Sequence, residues 1–254
     1  MMNFGIVKCS LTLCNGYCNF YANSCYVIKF QKSSLNIIQS LTSLIIFCFI
    51  FFRWSFMLFQ LISYYTIDKA VQSKMTLWEY ISWTVIVFQN AAVLEILHVA
   101  IGIVKSNLFI TTVQVLSRVM VVCGVILATP TGRVSPGVPL ALLAWSVTEI
   151  IRYGYYAFNL IGAVPYVIVY LRYTTFIALY PIGVTGELLC FYWAQSHIQE
   201  SKQWSIEMPN KINFTFSYFY FMWMVMLSYI PLFPQMYLHM FAQRKKIIGS
   251  GRSH

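Results

Sequence analysis

The sequence predicts an all-α protein: a polytopic bundle of about six transmembrane helices. Of its 254 residues, 59% are hydrophobic and only 9% are charged, whereas soluble domains carry roughly 25% charged residues. The apolar residues also come in long runs separated by short polar stretches, as in bilayer-spanning segments. We therefore predict a membrane domain over residues 39–243, preceded by a variable, poorly ordered tail at 1–38 and followed by a basic tail at 244–254.

Six apolar segments predict the six crossings. They run over Leu41–Tyr65, Tyr80–Val104, Leu108–Ala128, Val138–Phe158, Val164–Trp193 and Phe214–Phe241. The loop TPTGRVSPGVP ends the third segment, because its prolines and glycines cannot continue a long helix. Pro231 and Pro234 predict a kink in the sixth segment.

The net charge of +10 invites a nucleic-acid partner, but the positions of the charges argue against one. Basic residues flank apolar runs, as at Lys29 and Lys32 and at 244–246, which is typical of residues retained on the cytoplasmic side of a membrane. With a cytoplasmic N-terminus, the inside segments hold eight basic residues and the outside loops five. We expect a multi-pass protein with both termini in the cytoplasm, in contact with membrane lipids and not with nucleic acid.

The seven cysteines do not predict a metal site. Four of them lie in the first 25 residues and three in apolar runs. They form no C-x-x-C pair, and no nearby histidine completes a zinc site. We interpret them as small apolar residues and free thiols, and we expect no metal.

Ionisable residues inside the apolar segments indicate a polar interior. Three of the seven carboxylates, Glu95, Glu149 and Glu187, fall within these segments, where a charged side chain costs roughly 2.5–3.5 kcal/mol or more. Glu149 and Arg152 are three residues apart, which suits a self-neutralising pair on one helix. Glu95 and His98 share that spacing. For both pairs we favour a structural role, with a chemical role as the alternative.

Glu187 differs because it ends a series of tyrosines at intervals of seven residues: Tyr166, Tyr173 and Tyr180. Seven residues are nearly two helical turns, so a continuous helix would place all four side chains on one face. Glu187 would then lie roughly 10 Å along the axis from Tyr180, with room between them for a small polar group. The intervening sequence YPIGVTGE predicts either a Tyr/Glu site beside a broken helix or merely a kinked helix packed through its glycines.

These residues resemble a known family. The stretches that carry the resemblance are EIIRYGYYAF, VPYVIVYLRYTTFIALYPIGVTGELL, LEILHVAIGIVKS, QVLSRVMVV, MPNKINFTFSYF and YIPLFPQMYLHMFAQRKK. Together they look like the membrane-embedded (3R)-3-hydroxyacyl-CoA dehydratases of the endoplasmic reticulum, in colinear order over residues 78–247. The Tyr-Asn pair and Gly-Trp that are usual in the family's first crossing are missing from residues 1–66.

The resemblance implies an enzyme, a hydro-lyase acting in the third step of very-long-chain fatty-acid elongation. Its substrate would be a very-long-chain 3-hydroxyacyl-CoA and its partners other elongation enzymes, in the endoplasmic reticulum membrane and without a cofactor. The family's catalytic pair corresponds to Tyr180 and Glu187, its supporting arginines to Arg118 and Arg172, and its turn glycine to Gly183. The family was once labelled protein tyrosine phosphatase-like, but the cysteines at 123 and 190 and in the N-terminal tail lack the C-x5-R arginine of a phosphatase loop.

Dehydration needs one group to take a proton from C2 and another to protonate the leaving C3 hydroxyl. The sequence leaves the two roles open, and we place Tyr180 on the C2 side and Glu187 on the hydroxyl side. One alternative is a catalytically silent family member that acts as a membrane scaffold for elongation enzymes. Another is a small transporter, but no internal repeat of the kind frequent in transporters is evident.

Overall fold

The computed structural model describes residues 17–66, 73–100, 108–211 and 213–250, and the side chains at 17–39, 90–92, 94, 95, 98, 99, 249 and 250 lie outside that description. The helices, numbered in chain order, are α1 (Tyr17–Thr66), α2 (Leu77–Ala100), α3 (Leu108–Val119), α4 (Pro130–Arg133), α5 (Gly137–Ile161), α6 (Tyr166–Arg172), α7 (Phe176–Ser201) and α8 (Tyr218–Ser250). A π-helical segment, Met120–Ile126, continues α3. The predicted all-α class is confirmed for these residues, whose one extended pairing is an isolated bridge between Ile206 and Phe216.

The chain divides into two units within α1, one ending at Ile46 and the other beginning at Phe47. In the first unit, α1 begins at Tyr17, well before the first predicted crossing. Residues 1–16 of the predicted tail lie outside the described residues. The second unit contains all the remaining helices.

Four helical stretches in the described residues are long and apolar enough to cross a membrane: Ser40–Thr66, Leu108–Ile126, Phe176–Ser201 and Tyr218–Ile248. They correspond to the first, third, fifth and sixth predicted crossings, and they make this a membrane protein. The second and fourth predicted crossings are also helices, of 24 and 25 residues. The count of six crossings stays a prediction.

The fifth predicted segment is two helices, not one. Helix α6 ends at Arg172, and α7 begins only at Phe176 after a turn. The predicted stripe is therefore wrong in its first half, because Tyr166 and Tyr173 do not share a helix with Tyr180. The break falls before Pro181, through which α7 continues uninterrupted.

Small residues bring α5 and α7 into close contact. A methyl group added at Gly186 would lie 2.5 Å from the backbone nitrogen of Ala141 and 2.9 Å from the carbonyl oxygen of Gly137. One turn earlier, a methyl group at Gly183 would lie 3.2 Å from the Cβ of Ala144. Without side chains at these points the two backbones approach closely, which places the residue after Ala144, Trp145, beside α7.

The start of α8 is tied to the π-helical segment. The hydroxyl of Tyr218 donates a hydrogen bond of 2.9 Å to the carbonyl of Gly124. Leu127 N–H bonds to the carbonyl of Val122, five residues earlier, at 2.8 Å, which is the pattern of a π-helix. The completely buried side chains of Val121, Val122 and Val125 belong to the main apolar core.

Candidate active site

Tyr180 and Glu187 both lie on α7, two turns apart, as the sequence predicts. The carboxyl group of Glu187 is buried, with 6% of the residue exposed, while Tyr180 is partly buried. Gly183 lies between them inside the helix, not in a turn, and faces Ala144 of α5. Its described role is therefore helix packing that helps to hold α7 in place.

Two neutral groups bind the carboxyl group of Glu187. The indole nitrogen of Trp145, on α5, donates a hydrogen bond of 2.9 Å to Oε1. The hydroxyl of Tyr229, on α8, donates one of 2.7 Å to Oε2. Both oxygens are thus satisfied by donors from two different helices, which fixes the orientation of the carboxyl group.

Tyr180 is held by aromatic rings from α8. Its ring stacks on Phe233, with centroids 5.2 Å apart, and on Tyr237, with centroids 5.9 Å apart. The interplanar angles are 16° and 10°. Within the described part of the chain, the Tyr180 hydroxyl makes no hydrogen bond. Packing therefore orients the ring.

An ion-pair cluster lies beside this pair. The predicted pair of Glu149 and Arg152 is confirmed, with hydrogen bonds of 2.9 Å from Nε and 2.6 Å from Nη2 of the arginine. Arg118, on α3, forms a second ion pair with Glu149. The Arg118 guanidinium also lies 5.7 Å from the ring centroid of Trp145, and it is within electrostatic range of Tyr180 and Glu187.

Arg172 lies among aromatic rings. It is the last residue of α6, and its guanidinium carbon is 4.3 Å from the ring centroid of Tyr155 and 4.7 Å from that of Tyr156. Its Nη2 donates a long hydrogen bond of 3.4 Å to the Tyr156 hydroxyl. The buried Nη1 has no hydrogen-bond partner among the described residues. Arg118 therefore shares Trp145 as a contact with Glu187, whereas the ring contacts of Arg172 are with other tyrosines.

Two contacts of Glu187 are missing from the sequence-based prediction: Trp145 and Tyr229. Trp145 precedes Glu149 by four residues, so these two side chains share a helix face. Tyr229, Phe233 and Tyr237 follow one another at intervals of four and form the face of α8 that contacts α7. These spacings were visible in the sequence, but they do not show which helix each face meets.

The sequence also predicts two further polar residues in its apolar segments, and the structure contains a separate cleft. The side chains of Glu95 and His98 lie outside the described residues. The described part of the chain contains no cluster of three His, Cys, Asp or Glu side chains suited to a metal ion. A cleft of about 610 Å³ lies elsewhere, lined by Tyr64, Lys74, Glu79, Arg133 and neighbouring residues.

Comparison with known proteins identifies similar chains. The family described as "Protein tyrosine phosphatase-like protein, PTPLA" matches residues 89–250. The chain is 48% identical over 167 residues to very-long-chain (3R)-3-hydroxyacyl-CoA dehydratase 2 of Mus musculus, covering 66% of each protein. It is 46% identical over 176 residues to a Caenorhabditis elegans very-long-chain (3R)-3-hydroxyacyl-CoA dehydratase, covering 69% of this chain and 81% of the relative.

A plant protein, very-long-chain (3R)-3-hydroxyacyl-CoA dehydratase PASTICCINO 2 of Arabidopsis thaliana, is 39% identical over 165 residues, which are 65% of this chain and 75% of that protein. The match to the mouse protein spans slightly less than two thirds of its length. No solved structure matches the chain.

Proposed function

This chain belongs to the protein tyrosine phosphatase-like (PTPLA) family, and from that premise we propose that it removes water from a (3R)-3-hydroxyacyl-CoA to give a trans-2-enoyl-CoA. Its relatives are named as very-long-chain dehydratases, so the proposed substrate carries a very long acyl chain. Tyr180 and Glu187 are the proposed catalytic pair. The reaction is the third step of fatty-acid elongation.

The observation that carries this proposal is the buried carboxyl group of Glu187, which two neutral donors from α5 and α8 hold in place. Glu187 lies on the same helix as the stacked Tyr180. Dehydration of a 3-hydroxyacyl thioester needs two acid/base groups on either side of the C2–C3 bond. Tyr180 and Glu187 are two helical turns apart, roughly 10 Å along the axis, and their side chains can approach a substrate between them.

The proton balance of the reaction closes within the pair. One group takes the proton from C2 while the other donates a proton to the C3 hydroxyl. The C3–O bond breaks, water leaves, and the electrons of the C2–H bond form the double bond. The proton taken from C2 replaces the one donated, so the pair returns to its starting state when a proton passes between the two groups. In the arrangement that we propose, Tyr180 lies on the C2 side and starts as the phenolate that takes the proton, while Glu187 lies on the hydroxyl side and starts as the neutral acid that donates one.

The two arginines have separate proposed roles. Arg118 is in electrostatic range of both catalytic groups, and its positive charge can stabilise the oxygen of the thioester carbonyl as charge develops there. Arg172 has a buried Nη1 without a hydrogen-bond partner among the described residues and a guanidinium shape that suits phosphate. We assign it to the phosphates of coenzyme A.

The setting of the reaction is also proposed. The acyl chain would lie among the helices, with coenzyme A at the cytoplasmic face of the endoplasmic reticulum membrane and other elongation enzymes alongside. Both termini would be cytoplasmic, residues 39–243 would form the catalytic domain, and 244–254 the basic tail. The backbone of α8 extends to Ser250, so the first part of that tail is helical.

The test measures the conversion of a very-long-chain 3-hydroxyacyl-CoA to the enoyl product by the purified full chain in detergent micelles. Tyr180→Phe and Glu187→Gln should each lower kcat about 10²- to 10⁴-fold, because each removes one acid/base group. Tyr192→Phe and Glu200→Gln are matched controls, since both residues are exposed on the same helix.

Full activity in Tyr180→Phe or Glu187→Gln contradicts the assignment of the pair. An unmodified chain without turnover, over a range of acyl lengths, contradicts the enzymatic function and favours the scaffold. Loss of activity in the two control variants would show that the assay reports folding rather than chemistry.

A further inference from the structure

Pro181 leaves a gap in the hydrogen bonding of α7. Proline has no backbone N–H, so the carbonyl four residues earlier loses its helical partner. That carbonyl belongs to Ile177, and α7 nevertheless continues through this position. Tyr180 immediately precedes the proline, and a residue in that position is sterically disfavoured in a helical conformation. The backbone that carries the proposed catalytic tyrosine therefore lacks the usual local support.

A side chain from α8 occupies the gap. The hydroxyl of Tyr237 donates a hydrogen bond of 3.1 Å to the carbonyl oxygen of Ile177. The helix thus gains, from a neighbouring helix, the donor that Pro181 cannot supply. A free carbonyl in an apolar environment would otherwise cost free energy.

The ring of the same tyrosine orients Tyr180. The two rings are nearly parallel, at 10°, with centroids 5.9 Å apart. Tyr237 also meets Phe176 edge to face at 5.9 Å, so it contacts two residues that lie one turn apart on α7. Phe233 stacks on both Tyr180 and Tyr237, at 5.2 Å and 5.4 Å.

We propose that Tyr237 is a positioning residue for Tyr180: its hydroxyl binds the Ile177 carbonyl that Pro181 leaves free, and its ring sets the direction of the Tyr180 ring. This inference rests on the proposed function, in which Tyr180 is a catalytic residue. The hydrogen bond and the stack act together because one side chain makes both. Pro181 and Tyr237 therefore act on the same carbonyl group, although they lie on different helices.

This arrangement predicts that the effects of substitutions at Tyr237 and Pro181 on kcat are not additive. Tyr237→Phe removes the hydroxyl and keeps the ring. Pro181→Ala supplies an amide that competes with Tyr237 for the same carbonyl, so it breaks the same connection from the other side. Each single variant should lower kcat roughly three- to tenfold, the range expected for one hydrogen bond, while KM changes less than about twofold because substrate binding is untouched. The double variant should be no slower than the slower single variant.

The experiment measures kcat and KM of the purified full chain for the two single variants and the double variant. Tyr220→Phe is the control, since Tyr220 lies on the same helix and is 73% exposed. Losses of kcat that multiply in the double variant, an unchanged kcat in Tyr237→Phe, or a higher KM at constant kcat would each overturn the proposal. If Tyr237→Phe does not fold, Pro181→Ala decides alone, and an unchanged kcat there overturns it.

Two outcomes separate this inference from the proposed function. An active Tyr180→Phe variant removes the catalytic role of Tyr180, and the function assigned to the site fails with it. An inactive Tyr180→Phe variant beside a fully active Tyr237→Phe variant leaves the function intact and refutes only the positioning role.

Discussion

Glu149 and Glu187 lie on neighbouring helices and are both buried, with 1% and 6% of the residue exposed. Their partners differ in charge. Glu149 binds two guanidinium groups, those of Arg118 and Arg152, which compensate its negative charge. Glu187 binds an indole N–H and a phenol O–H, both neutral. The same side chain, buried in the same bundle, is thus a structural ion in one place and a proposed acid/base group in the other.

The largest expected effect is on the free energy of unfolding, which should fall much more when Glu149 is replaced than when Glu187 is. Glu149→Gln leaves two largely buried guanidinium groups without a counter-charge, and we expect the free energy of unfolding to fall by about 3–5 kcal/mol. Glu187→Gln keeps an amide that can still pair with its neutral neighbours, so the loss there should stay within about 1 kcal/mol. Unfolding in detergent micelles measures both.

Equal losses of stability in Glu149→Gln and Glu187→Gln would contradict the distinction. The activity of the two variants gives the complementary result: the proposed function predicts that Glu187→Gln is folded and inactive. A folded Glu149→Gln variant with the stability of the unmodified chain would show that Arg118 and Arg152 find other partners.

Pairs within one helix could be predicted from the sequence, and pairs between helices could not. The helical period places Glu149 beside Arg152 and Tyr180 on the same side as Glu187, and the structure has the first pair bonded and the second on one helix. The third member of the ion cluster, Arg118, comes from α3, whose contact with α5 depends on how the helices cross. The family resemblance pointed to Arg118, but the spacing of residues did not.

Prediction of the fold from the sequence was limited in a similar way. Apolar runs predicted the helices α2, α5 and α8, with differences of a few residues at their starts. They did not reveal the turn at 173–175 or the π-helical segment, because hydropathy reports whether a stretch is apolar and not whether its helix is continuous. The stripe of four residues failed at that turn.

The next largest expected effect is a fall in kcat when a hydrogen-bond donor to Glu187 is removed. Tyr229→Phe removes the hydrogen bond to Oε2 and keeps the ring that packs against Phe191 at 6.1 Å. A hydrogen bond between neutral groups is worth about 0.5–1.5 kcal/mol, so we expect kcat to fall roughly 2- to 10-fold with little change in the unfolding midpoint. The exposed Tyr220→Phe, on the same helix, is the matched control.

An unchanged kcat in Tyr229→Phe would mean that the Trp145 donor alone orients the carboxyl group. A fall in kcat accompanied by an equal fall in stability would assign Tyr229 to helix packing. Neither result would alter the contrast with Glu149, but either would remove one of the two neutral donors from the proposed machinery.

A third carboxylate, Glu79, is exposed at the start of α2, and its contribution to stability is expected to be small. The N–H of Thr76 donates to Glu79 Oε2 at 2.7 Å, and the N–H of Glu79 donates to Thr76 Oγ1 at 3.3 Å, which is a capping box. The backbone N–H of Thr76, followed by its side chain, lowers the pKa of Glu79 from its ordinary value of 4.5. A lowered pKa contributes stability above the ordinary value, and this contribution is lost as the pH falls through the lowered one.

Glu79→Gln should therefore unfold at a slightly lower temperature than the unmodified chain at neutral pH, and the gap should close in acid, below about pH 4. The measurement is the unfolding midpoint of both proteins in micelles across this range. Glu200→Gln provides the control, because the exposed Glu200 has no hydrogen bond or ion pair among the described residues. A difference in unfolding midpoint that stays constant or widens in acid would show that the Glu79 carboxylate does not cap α2. The capping hydrogen bonds stabilise the charged form of Glu79 more than its neutral form, so their contribution should be lost when Glu79 is protonated.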